Sequence, residues 1–224
     1  MKRMLEVGLI GAWLVTLCFP AAASAAEKET AERLKGAGET LTALTEAPDK
    51  GVPLSLIKKA RCVVVVPSMK SAAFIVGGDY GRGVVSCRTA GGWSAPASVR
   101  IEGGSFGFQI GGKETEVVML VMNEKGMDRL LSTKFTLGGD ASIAAGPVGR
   151  GTEAKTDAAF TAEILSYSRT RGIFAGVSLE GATLREDDSA NKDMYGKEMH
   201  NRDIIKSATA PAMAAPFMAA LKKY

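Results

Sequence analysis

Between residues 27 and 47 apolar side chains recur every three or four positions. Ala31, Leu34, Ala37, Leu41 and Leu44 form one stripe in an otherwise polar segment. That period is helical, so the spacing predicts an amphipathic helix, weakened by Gly36 and Gly38 and closed by Pro48 and Gly51. Pro53 opens a short second helix through Lys59, with Leu54, Leu56 and Ile57 apolar and Lys58, Lys59 and Arg61 at its end. From Cys62 the texture changes to β-branched runs. Val63–Val66 stops at Pro67; Ala72–Val76 and Val84–Arg88 flank a glycine-rich stretch, and Gly91-Gly92 turns the chain before Trp93. Further strands are predicted at Ala97–Glu102, Ser105–Ile110 and Glu116–Met122.

One mid-chain helix follows, with Asn123 as its N-cap and Met127, Leu130 and Leu131 at helical spacing. Thr136–Ala145 returns to strand texture. Ala158–Arg169 and Gly172–Leu184 read as a long final hairpin turning near Thr170-Arg171-Gly172. After the polar stretch Arg185–Lys192, the tail from Ile204 is alanine-rich and reads as a short helix with a loosely packed end. Ile75-Val76-Gly77-Gly78-Asp79, Gln109-Ile110-Gly111-Gly112-Lys113 and Thr136-Leu137-Gly138-Gly139-Asp140 echo one another. Recurrent β-bends account for this, and no solenoid period emerges. The whole pattern predicts a single α+β domain dominated by antiparallel, glycine-rich strands in a curved or barrel-like sheet. An N-terminal helical segment, one mid-chain helix and a short C-terminal helix accompany it.

Composition sharpens that picture. Hydrophobic residues make up 46% of the 224 and charged residues 23%, enough for a packed core and against global disorder. Glycine, at 26 residues against 8 prolines, excludes a helical bundle and fits strands that bend or approach closely. The first 25 residues read as a signal peptide: Lys2 and Arg3, an apolar run from Val7 to Phe19, then Ala23-Ser24-Ala25 as the cleavage pattern. Cys18 invites a lipoprotein reading, but Leu17 stands where a lipobox needs a small residue. The expected organisation is a signal peptide at 1–25, a helical segment at 26–50, the strand-rich domain at 51–206 and an alanine-rich tail at 207–224. Export to the periplasm or beyond follows.

The net charge is +4 over the chain and about +3 once the leader is removed, without the concentrated basic patch and stacking aromatics of a nucleic-acid binder. Clustered lysines and arginines leave anionic lipid head groups open as a partner. Cys62 and Cys87 survive processing. In an oxidising compartment an even pair reads as a disulfide, with two buried free thiols as the alternative.

Chemistry is sparse. Gly107 to Lys113 satisfies G-x4-G-K, but Glu114 stands where a magnesium-holding Ser or Thr belongs and a strand-like run follows. His200, the only histidine, lies in a polar segment without a G-x-S-x-G elbow and reads as a surface residue. Asp187-Asp188 with Asn191 and Asp193 lacks the glycine and closing glutamate of a calcium loop and reads as a solvated loop. No catalytic constellation, metal site or cofactor is predicted.

The motifs in order resemble the SYLF domain, named for eukaryotic proteins that pair it with SH3 or FYVE modules. They are Ala60–Pro67; Gly91-Gly92-Trp93-Ser94-Ala95-Pro96; Gly107–Gly112 with Glu116-Val117-Val118; Leu137–Asp140; Ala145–Arg150; Tyr167–Gly176; and Asn191 with Tyr195-Gly196. The resemblance runs from Pro53 to Ile205 and implies binding rather than turnover. Eukaryotic members associate with phosphoinositide membranes, some also with actin, and a basic amphipathic segment at the domain's N-terminus is implicated in membrane contact. Here that segment spans about Ala31 to Arg61. It nominates Lys35, Lys58, Lys59 and Arg61 with Leu34, Leu41 and Leu44 as lipid-binding residues. The stripe has a second reading, as the cover of a sheet. Two functions stay open: a peripheral binder of anionic phospholipid in the periplasm, or a structural protein of the cell envelope that binds another protein.

Overall fold

The computed structural model describes residues 21–46, 52–74, 76–106, 111–148, 161–170, 173–177 and 179–224. Its strands are β1 Cys62–Phe74, β2 Val76–Thr89, β3 Gly92–Trp93, β4 Ala97–Phe106, β5 Gly111–Val121, β6 Lys134–Thr136, β7 Ile143–Ala145, β8 Ile164–Thr170, β9 Ile173–Gly176 and β10 Thr183–Glu186. Its helices are α1 Ala21–Glu46, α2 Leu54–Lys59, α3 Glu124–Leu130, α4 Asp188–Tyr195, α5 Asn201–Ser207 and α6 Ala215–Leu221, the last entered through a 3-10 turn at Ala212–Ala214. Of the leader expected at residues 1–25, residues 1–20 lie outside the described residues, and residues 21–25 open α1.

The strands join in one sheet of order β6-β10-β4-β2-β1-β5-β8-β7, with β3 beside β2 and β9 beside β8. Among the described residues every strand pairing is antiparallel except β7 with β8, so the sheet is mixed. The connection between its two edge strands shows the curl. Eight strands laid flat would be about 34 Å across. Residues 137–142, which link β6 to β7, reach at most about 25 Å when extended. The edges must therefore turn toward each other, making a half-barrel.

The valine run explains the layering. Val63 to Val66 are all buried because β1 is central and covered on both faces, so no polar alternation survives. On one face Cys62, Val64, Val66, Val117 and Met119 pack with Leu130 of α3, Ile204 and Ile205 of α5, and Phe135 and Leu184 from the curled edge. On the other, Val63, Val65, Val84, Val118, Leu120 and Tyr167 lie under Leu34, Ala37, Leu41 and Leu44 of α1, Ile57 of α2, and Phe217 and Leu221 of α6. The α+β class and curved, mainly antiparallel sheet agree with the sequence pattern.

Several boundaries differ from those expected. β1 runs through Pro67 to Phe74, because its register shifts between Val65 and Ser68, and a bulge accommodates a residue without an N–H. Opposite that bulge, a Cβ on Gly83 would lie 2.4 Å from the Val65 carbonyl oxygen, so only glycine fits. β4 is one strand across Gly103-Gly104, held by its ladder to Gly77 to Asp79 of β2. The 136–145 segment is two strands at opposite edges of the sheet. The long final hairpin is only its β8–β9 part; β10 crosses to pair with β4 and β6.

The C-terminal end is docked rather than loose. Phe217 and Leu221 are buried beside α1, which passes so close that a Cβ on Gly38 would sit 2.9 Å from the Pro216 carbonyl oxygen. Cys62 and Cys87 face each other in the β1–β2 register and are joined as a disulfide. A buried amide pair ties α4 and α5 to β4. Asn191 Oδ1 accepts from the Ser98 N–H at 2.7 Å, its Nδ2 donates to Asn201 Oδ1 at 2.7 Å, and Asn201 Nδ2 donates to the Ser98 carbonyl at 3.1 Å.

Candidate functional site

α2 is short and two-sided. Its first turn forms on Pro53, whose carbonyl accepts from the Leu56 and Ile57 N–H groups. Ile57 points into the core, which leaves Leu54, Ser55, Lys58 and Lys59 exposed. Leu54 is 49% exposed; it and Tyr80 are the large apolar side chains left open to solvent among the described residues. Leu54 and Lys58 stand four residues apart, hence on the same helix face.

Other cations gather at this end of the sheet. Arg61 immediately precedes β1 and pairs with Glu124 at 2.8 Å. Arg88, opposite it, donates from Nε to the Ala60 carbonyl at 3.2 Å and from Nη2 to the Tyr224 carbonyl at 3.2 Å, while stacking 4.3 Å over the Trp93 ring. These bonds bring the last turn of α6, with exposed Lys222 and Lys223, to the base of β1. Lys223 also reaches Glu46 at the end of α1, at 4.0 Å. The base of the molecule thus joins the ends of α1 and α6 to the α2–β1 junction, and Lys58, Lys59, Arg61, Lys222 and Lys223 are exposed at this end.

The structure brings Lys58, Lys59 and Arg61 together and separates the other nominated residues from them. Lys35 is exposed on α1, pairs with Glu39 at 3.8 Å, and borders a groove of about 510 Å³ between α1 and α6 with Ala43, Pro216 and Ala219. It lies about 16 Å along the helix from Glu46. Leu34, Leu41 and Leu44 are fully buried. They cover Val63, Val65, Val84, Val118 and Leu120, which α1 shields from water, so in this conformation they do not face outward. Leu54 is the exposed apolar residue beside the lysines; its i, i+4 pairing with Lys58 was the available sequence signal. Arg88, Lys222 and Lys223 were not nominated, since only the fold carries them to this end.

Two other polar clusters fix the helices. Arg82 of β2 forks onto Asp187, with Nε to Oδ2 at 2.6 Å and Nη2 to Oδ1 at 3.0 Å. Glu29 on α1 accepts from Arg82 at 3.2 Å and from Arg33 at 2.6 Å, tying α1 to β2 and α4. Burial alone would raise the Asp187 carboxyl, but the Arg82 fork and charge outweigh it and hold it below the usual carboxylate range. Burial lowers the Arg33 guanidinium, and the charge of Arg82 adds to that. Beside the first residue of α4, His200 is exposed and its Nδ1 lies 3.0 Å from Glu186 Oε2. Gly111-Gly112-Lys113 are the first residues of β5, so the G-x4-G-K match ends in a strand; Gly107 to Ile110 lie outside the described residues.

The family described as "Ysc84: Las17-binding protein actin regulator" matches residues 102–224, just over half of the chain. The SH3 domain-containing protein PJ696.02 of Schizosaccharomyces pombe is 36% identical over 193 residues, 81% of this chain and 44% of that protein. The SH3 domain-containing YSC84-like protein 1 of Homo sapiens is 34% identical over 188 residues, 80% of this chain and 55% of that protein. Protein YSC84 of Saccharomyces cerevisiae is 31% identical over 179 residues, 78% of this chain and 38% of that protein. The chain spans about half the length of the curated relatives it matches.

Proposed function

Because the chain belongs to the Ysc84 family of SYLF domain proteins, we propose that it is a non-catalytic module that docks peripherally on anionic phospholipid membranes through α2 and the base of β1. The observation that carries this is the exposed Leu54 on the same short helix as Lys58 and Lys59, at the end that also presents Arg61, Lys222 and Lys223. A leucine that enters the head-group layer and lysines that stay with phosphates suit a peripheral contact. Each lysine near an anionic surface contributes about 1 kcal/mol, and salt weakens that attraction. The compartment proposed is the periplasm, supported by the basic start, apolar run and Ala23-Ser24-Ala25 of the leader and by the Cys62–Cys87 bridge.

A protein partner is the second reading. The family description names a Las17-binding protein and actin regulator, and the groove between α1 and α6 is bordered by Lys35, Glu39 and Ala219 on the opposite side of α1 from its buried stripe. Co-sedimentation with vesicles of rising phosphatidylglycerol content, at low and high salt, separates the two. Lys58→Glu/Lys59→Glu is expected to weaken partition by at least about 30-fold and Leu54→Ser by about tenfold. Binding that ignores salt and all three substitutions would remove the α2 surface from consideration. No binding at any composition would favour the protein-directed reading.

A further inference from the structure

The N-terminal turn of α4 and the start of α5 meet at the end of β10. Glu186 is the last residue of β10, Asp188 the first of α4, and His200 caps α5. The Asn191–Asn201–Ser98 bonds hold the two helices in place, so the β10–α4 junction and the start of α5 present donor atoms to one point. One oxygen each of Glu186 and Asp188 and one ring nitrogen of His200 lie within 4.8 Å of one another. We propose that these three side chains form a binding site for a divalent transition-metal ion of the zinc class.

The most buried member is already oriented. The Glu186 side chain is 5% exposed, and its Oε1 accepts from the Asn201 N–H at 2.9 Å, which leaves Oε2 beside His200 Nδ1 at 3.0 Å. An ion bonded at about 2.1 Å to both atoms would subtend roughly 90° between them, a bite that five- and six-coordinate ions accept. The exposed Asp188 carboxylate supplies the third position. A cleft of about 600 Å³ opens beside the cluster, with Asp203 and Glu198 on its wall for water-mediated contact; Lys192 there is engaged by Glu198 at 3.2 Å.

The donor set selects the class of ion. An imidazole nitrogen with carboxylate oxygens suits zinc and its neighbours better than magnesium or calcium, which prefer oxygen throughout. In the metal-free protein His200 Nδ1 and Glu186 Oε2 are hydrogen-bonded. An ion at the same place requires neutral imidazole and releases a proton whenever histidine is charged. Binding would cross-link β10, α4 and α5, stabilising the folded state by mass action. Next to the cluster Asp187 anchors Arg82, so the ion would sit one residue from the network that fixes α1. This site is independent of the membrane reading and survives its failure.

The test is calorimetric titration of Zn²⁺ into the full chain, purified without a histidine tag and stripped with chelator. One equivalent should bind with micromolar affinity. His200→Ala and Asp188→Asn, both at exposed positions, should each weaken it at least tenfold while leaving the circular dichroism spectrum unchanged. Excess zinc should raise the melting temperature of the parent chain and not that of His200→Ala. Absence of saturable binding, or binding that both substitutions leave intact, would overturn the proposal, as would tighter binding of Ca²⁺ or Mg²⁺ than of Zn²⁺.

Discussion

Two titratable side chains near the start of α4, Asp187 and His200, are set by their partners in opposite senses. Arg82 holds Asp187 in its charged form against the pull of burial, so its contribution is present above the normal carboxylate range and is lost as pH falls through its lowered value. His200 is raised above 6.5, chiefly by its hydrogen bond to Glu186 and then by that carboxylate's charge. Its folded value exceeds its unfolded one, so the stabilisation is complete below about pH 6.5 and fades as pH rises through the folded value. NMR titration of the imidazole in metal-free protein should show a midpoint above 6.5, and Glu186→Gln should bring it back toward 6.5. A midpoint unmoved by that substitution would mean that the 3.0 Å contact carries no charge coupling.

At the scale of elements, α1 tests what an amphipathic stripe is for. Leu41 is fully buried under α1, so Leu41→Ala leaves a cavity against Val63 and Leu120 and should cost about 3 kcal/mol in urea unfolding. Vesicle binding of the folded variant should match the parent; a large loss of binding with little loss of stability would return the stripe to the membrane. The helical period of Leu34, Leu41 and Leu44 was legible in the sequence, but a period identifies a face without saying what covers it. The valine run likewise announced a strand, whereas strand lengths were hidden. Glycine serves equally at a turn and where backbones crowd, and only the ladder of Gly78 to Gly104 and the bulge beside Gly83 decide between them. The close approach of α6 at Gly38 was read as a weak helix position for the same reason. Lys58, Lys59 and Arg61 were legible because they are contiguous. Glu186 with His200 was not, since the contact joins a strand end to a helix cap through the Asn191–Asn201 pair.

For the molecule as a whole, one sheet serves two apolar layers, and β1 and β2 are its two central strands. The Cys62–Cys87 bridge lies at the base of those strands, on the layer packed by α3 and α5 and on the same end as Lys58, Lys59 and Arg61. It closes a loop with a sequence separation of 25, for which chain entropy gives about 3.5 kcal/mol. The β1–β2 ladder already confines the same segment in the folded state, so the gain falls on the unfolded chain. Reduction should therefore lower stability by about 2–4 kcal/mol without altering the fold, and vesicle binding at 25 °C should persist because Leu54, Lys58 and Lys59 stand on α2 rather than on the bridge. Urea unfolding of the Cys62→Ser/Cys87→Ser chain beside the parent, with binding assayed on both, measures the two halves of that statement. An unchanged midpoint would leave the bridge without a thermodynamic role. A binding loss at full folding would instead mean that the bridge sets the position of α2 against β1, linking the redox state of the central strands to the docking surface.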